Sequence, residues 1–118
     1  MQNAVLNTQY KYFKDSEVVG LKPELVRLLD KMRGECGFPF KINSGYRDPS
    51  HNAEVGGVPE SAHTEGLAVD IACGDSLKRL KLLQVAFNNG ITRIGLAKTF
   101  VHLDTSKKLP NNVLWLYD

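Results

Sequence analysis

A chain of 118 residues with 15 Lys+Arg against 13 Asp+Glu has the length of one domain, spanning residues 1–118, and a formal charge of only +2. Its 42% hydrophobic and 24% charged residues suit a folded globular chain rather than a disordered one. No run approaches the ~20 apolar residues of a membrane-spanning helix, and no aromatic–basic stripe points to nucleic acid. The expectation is a monomer with neither a membrane nor a nucleic-acid partner.

Residues 1–20 are polar and weakly patterned, with Tyr10, Tyr12 and Phe13 as anchors onto the body. From Pro23, Leu25, Leu28, Leu29 and Met32 recur at helical spacing, which predicts a helix ended by Gly34 or Gly37. Pro23 suits a first helical turn, where its missing N–H costs nothing. Residues 39–43 alternate and predict a short strand. Residues 44–66 are punctuated by Gly45, Pro49, Gly56, Gly57 and Pro59, so they read as a loop, and one this long in a compact domain points to function.

Residues 67–71 predict a second strand, with Val69 and Ile71 on one face and Ala68 and Asp70 on the other. Asp75 or Ser76 caps a helix running to about Asn88, whose expected buried face is Leu77, Leu80, Leu83 and Phe87. Residues 91–94 and 100–103 read as further strands, and Val113 to Tyr117 as a last strand or a docked tail. The fold class expected is α+β, two main helices packed on a small, mostly antiparallel sheet. Cys36 and Cys73 match no metal or redox spacing and read as free buried thiols, with a disulfide between them left open.

His63, Asp70 and His102 carry the chemistry. Two imidazoles and a carboxylate can hold a catalytic zinc ion and leave one position for water. An Asp between two apolar strand residues also needs a partner, because an unpaired buried carboxylate is costly. On residues alone, a hydrogen-bonded structural His–Asp pair is the competing explanation.

The sequence holds Ser44-Gly45-Tyr46-Arg47, then Ser61-Ala62-His63-Thr64-Glu65-Gly66-Leu67-Ala68-Val69-Asp70, then Phe100-Val101-His102-Leu103-Asp104. Over residues 20–105 this order resembles the zinc D-alanyl-D-alanine carboxypeptidase family of phage and bacterial peptidoglycan peptidases. The wider fold group of that family includes lysostaphin-type peptidases and the hedgehog domain. The resemblance implies that His63, Asp70 and His102 ligate Zn2+, and that Arg47 holds a substrate carboxylate or an oxyanion. It also implies that Ser61 and Tyr46 stand near substrate, and that the partners are peptidoglycan stem peptides.

One departure bears on mechanism. The family usually places an acidic base three residues before its last zinc-binding His; here that residue is Thr99. Two residues before His102, where some members carry a second His, this chain has Phe100. Asp104 shares a strand face with His102 and is the preferred acid/base group, with a role as acceptor for the ligand His as its alternative. Glu65 is a weaker choice, and His51 reads as a bystander at the cleft mouth. The start, MQNAVLNTQYKYFKD, lacks a basic-then-apolar leader. That implies cytoplasmic synthesis and action at the cell wall after release, as for an endolysin, or within a phage particle.

Overall fold

The computed structural model describes residues 10–56 and 61–117. Helix α1 (Pro23–Cys36) starts with its proline in the first turn and buries Leu25, Val26, Leu29 and Met32. Gly37 closes it in the left-handed conformation, φ 78°, with its N–H on the Arg33 carbonyl. Helix α2 (Pro49–Glu54) and a 3-10 turn (Ala62–Glu65) lie within the segment expected to be loop. Helix α3 (Ser76–Asn88) is capped by Asp75, whose carboxylate accepts from the N–H groups of Leu77 and Lys78.

The strands are β1 (Ile42–Ser44), β2 (Ala68–Ala72), β3 (Arg93–Leu96), β4 (Phe100–Asp104) and β5 (Val113–Leu116). They form one sheet in the order β1-β2-β4-β3-β5. Every pairing is antiparallel except β3 with β5. The fold is therefore α+β with a mostly antiparallel sheet. The boundaries of β2 to β5 fall within two residues of the sequence-based ones, the ordinary uncertainty of element ends, whereas β1 starts three residues later than expected.

Alternation divides the sheet into two faces. Val69, Ile71, Ile94, Val101 and Leu103 are fully buried and join Leu25, Leu29, Met32 and Leu82 in one core. On the opposite face, Asp70 pairs with His102, His102 with Gly95, and Gly95 with Trp115. One row across β2, β4, β3 and β5 thus carries polar and aromatic groups away from the helices.

Of the expected N-terminal anchors, Phe13 and Tyr10 join the core, whereas the Tyr12 side chain is exposed. Phe13 is buried, Tyr10 packs partly against the core, and Lys11 and Tyr12 donate their backbone N–H groups to the Asp30 carboxylate. The expected face of α3 requires correction. Leu77, Leu80 and Phe87 are exposed, while Leu82, Val85 and Ala86 are buried and Leu83 is only partly so. Arg79 sets this rotation. Its Nε donates to the Cys73 carbonyl at 2.7 Å, and its Nη2 donates to the carbonyls of Ala97 and Phe100. The face that follows Arg79 at helical spacing, Leu82 and Ala86, is thereby turned inward.

Candidate metal centre

Each member of the His63–Asp70–His102 group arrives by a local device. Ser61 caps the 3-10 turn, its hydroxyl accepting from the His63 N–H at 3.1 Å. Gly66 ends that turn at φ 74°, and a Cβ there would lie 2.6 Å from the Gly20 carbonyl oxygen, so glycine alone fits without strain. The chain then enters β2, which delivers Asp70 directly opposite His102 on β4. All three residues are buried, and one donor atom from each lies within 4.8 Å of the others.

The ring nitrogens are arranged for a cation. His63 Nδ1 donates to the Gly45 carbonyl at 2.7 Å; a carbonyl only accepts, so the hydrogen sits on Nδ1 and Nε2 is left for the centre. His63 Nε2 lies 3.4 Å from Asp70 Oδ1. His102 donates from Nε2 to Asp104 Oδ2 at 2.6 Å and presents Nδ1 to Asp70 Oδ1 at 2.9 Å. Two imidazoles, each anchored through its other nitrogen, and one carboxylate form a donor set that fits zinc.

Protonation follows the same geometry. Burial alone would raise the Asp70 pKa, but hydrogen bonds from His102 and His63 hold it down at about 2. Burial opposes a charged His102, yet the carboxylates of Asp104 and Asp70, one at each nitrogen, raise its pKa above the usual imidazole range. Asp104 is likewise lowered, because bonds from His102 and Arg93 outweigh its desolvation.

Asp104, expected as the acid/base group, lines the cleft beside His102. Its side chain is completely buried. Oδ1 accepts from Arg93 Nε at 2.6 Å and from the Ser106 N–H at 3.1 Å, while Oδ2 accepts from His102. Arg93 also donates to the Pro110 carbonyl. This leaves Asp104 to orient His102.

The group opens into a cleft of about 430 Å³, whose lining includes Arg47, Ser61, Phe100, Leu109, Trp115 and Tyr117. Arg47 donates from Nε to Ser44 and from Nη1 to Asn52, both at 3.1 Å, and its Nη2 lies 3.7 Å from Asp70 Oδ2. Its guanidinium is thus fixed at the edge of the group, with N–H donors left over for an anion. Tyr46 is not among the lining residues; its ring packs over Gly20. His51 is exposed beside Glu54, outside the cleft. Glu65 lines a separate cavity with Leu25, Leu28 and Leu67 and faces Lys108, so it does not meet the group. Thr99 sits in the β3–β4 turn, where its carbonyl accepts from the Cys73 N–H. Cys36 and Cys73 are free thiols, and burial raises the pKa of both, Cys36 to about 11.

Residues 2–104 match the Peptidase M15 family. The chain belongs to that family. Over 67 residues this M15 chain is 39% identical to the zinc D-Ala-D-Ala carboxypeptidase of Streptomyces albus G, a stretch covering 56% of the chain and 26% of that protein. The chain therefore spans about a quarter of the length of the curated relative it matches. Among solved structures, it resembles the L-Ala D-Glu endopeptidase ChiX of Serratia marcescens. The TM-score is 0.58 at 17% identity, covering 92% of this chain and 97% of that one, a likeness of fold.

Several cleft residues carry no sequence signal of their own. Arg93 lines the cleft from within a predicted strand that gives no sign of its partner, and Gly95 lies just past that strand's predicted end at Ile94. Trp115 and Tyr117 are indistinguishable in sequence from an apolar tail that docks elsewhere. Only alternation along β5, with Trp115 registered on Gly95, separates them from Leu114 and Leu116.

Proposed function

We propose that the chain is a zinc metallopeptidase that hydrolyses D-Ala-containing peptide bonds in the stems of bacterial peptidoglycan, as a D,D-carboxypeptidase or an endopeptidase. The carrying observation is the convergence of His63, Asp70 and His102, each imidazole anchored through its remote nitrogen. Family membership and the name of the Streptomyces relative support the substrate class.

In this reading His63, Asp70 and His102 would hold the ion. Zinc so held supplies Lewis acidity, polarising a carbonyl and making water nucleophilic near neutral pH. Arg47 holds the substrate carboxylate or the developing oxyanion from the edge of the group. Ser61 fixes the His63 backbone, and Asp104 holds the His102 ring in the orientation that presents Nδ1. Both are positioning residues.

The test is to load the protein with zinc, free of chelators, and incubate it with purified wall fragments and with peptides ending in D-Ala-D-Ala. Release of D-Ala or opening of a cross-link supports the proposal. Bound zinc at one equivalent with neither product sinks the enzymatic claim.

A second reading, a zinc-bearing wall-recognition module such as a part of a phage particle, draws on two observations. Thr99 stands where an acidic base is usual, and Asp104 is engaged by three partners. It predicts wall binding by the zinc-loaded protein without turnover.

A further inference from the structure

We propose that Trp115 and Tyr117, seated over the bare backbone of Gly95, form the subsite for the apolar side chain on the acyl side of the scissile bond. This rests on the peptidase reading above and adds residues beyond the 2–104 stretch that matches the family. The sheet row places them. Arg47 follows β1 at one end of the strand order, Asp70 and His102 occupy the middle, and β5 carries Trp115 past Gly95 at the other. A peptide whose carboxylate lies at Arg47 and whose scissile bond lies at the His–Asp–His group runs on toward β5. There it meets the rings of Trp115 and Tyr117.

Those rings are held in place by packing. The indole of Trp115 lies 5.2 Å from the His102 ring, centroid to centroid, and the Arg93 guanidinium lies 5.2 Å from the indole. Tyr117 packs on Phe100 at 5.2 Å and on Trp115 at 6.3 Å, and its backbone N–H donates to the Leu96 carbonyl. Gly95 makes this possible. A Cβ at that position would stand 2.5 Å from Trp115 Nε1 and 2.7 Å from a Tyr117 ring carbon, so any side chain there displaces both. Gly95 sits in an ordinary strand, where glycine is otherwise a weak choice. Close approach of the two rings is what it provides. Both aromatics line the cleft, and Tyr117 keeps 41% of its surface exposed despite its ring contacts. Flat aromatic faces suit aliphatic groups such as an alanine methyl or the stem of a diamino acid.

Trp115 is the chain's single tryptophan, so intrinsic emission reads the subsite directly. The full chain, loaded with one equivalent of zinc, is titrated with an N-acylated tripeptide ending in D-Ala-D-Ala, which has no aromatic group of its own. Saturable change in Trp115 emission is expected. Tyr117→Ala weakens binding by about fivefold or more through lost apolar contact, while Tyr117→Phe stays within about twofold. Zinc stoichiometry is unchanged in both. Gly95→Ala, which displaces the indole, shifts the emission of the free protein and weakens the peptide as Tyr117→Ala does; should it fail to fold, the Tyr117 pair still decides. Absence of binding, binding seen by calorimetry with Trp115 emission unmoved, or equal affinity in Tyr117→Ala overturns the proposal. Cleavage is followed in parallel. A wild type that binds, moves its emission and cleaves nothing keeps the aromatic pair as a peptide-binding surface but overturns its place beside a scissile bond together with the peptidase; one that cleaves with emission unmoved overturns the subsite alone.

Discussion

His102 Nε2 donates to Asp104 Oδ2 across 2.6 Å, and this bond decides which nitrogen of His102 faces Asp70. Asp104 is fixed in turn by Arg93 and by the Ser106 N–H. Asp104→Asn keeps the shape but lets the amide present either end to the ring. Zinc affinity is expected to fall about 10–100-fold, the usual loss when a partner of a metal-binding His is altered. At saturating zinc, any hydrolytic rate should fall far less and keep its pH profile. A loss of the acidic limb of that profile at full zinc loading would restore Asp104 as the proton-transfer group.

The metal-free centre makes the protein's stability depend on pH with opposite signs in two ranges. The folded pKa of His102 lies above its ordinary value of 6.5, so its proton stabilises the fold fully below that value. This contribution is lost as pH rises through the folded pKa. Asp70, lowered from 3.8 to about 2, contributes stability above 3.8 that is lost as pH falls toward 2. Chelated protein should therefore show a melting temperature that declines from pH 6.5 upward. Zinc binding, which needs a neutral His102, strengthens over the same range and reverses the trend. Thermal melts with and without chelator check this, and parallel curves for the two forms would contradict it.

Gly66→Ala tests the turn that delivers His63. The left-handed φ of 74° and the Gly20 carbonyl at 2.6 Å from a new Cβ act together, and the Gly66 N–H bonded to His63 O ties the strain to a candidate ligand. A loss of about 1–3 kcal/mol in stability is expected, with weakened zinc binding. Denaturant unfolding and metal titration of one variant measure both; a neutral result in each would mean that the turn relaxes freely.

What could be read in advance follows physical range. His63, Gly66 and Asp70 lie within one short segment whose spacing reflects a cap, a left-handed turn and a strand, so they are legible together. His102 and Asp104 are legible as a pair because alternation puts them on one face. Their division of labour is not, because it depends on Arg93, ten or so residues away in sequence and adjacent only through the β3–β4 register. Trp115 reaches the centre through a parallel pairing of β5 with β3, and nothing local in the tail specifies that partner. The short helix that carries Asn52 is masked by the Gly and Pro content of its segment.

The inward face of α3 gives the sharpest test of packing, because two leucines two positions apart exchange roles relative to the sequence pattern. Leu82 is fully buried in the core, whereas Leu80 is 60% exposed. Leu82→Ala should cost about 2–5 kcal/mol through lost burial and the cavity it leaves. Leu80→Ala should change stability by no more than about 0.5 kcal/mol, since it removes few contacts and leaves a good helix former. Urea unfolding of the two variants beside wild type separates them. Equal losses would mean that the Arg79 anchor does not set the rotation of the helix, and Arg79→Lys, which removes the planar fork on the Cys73, Ala97 and Phe100 carbonyls, should then be silent as well.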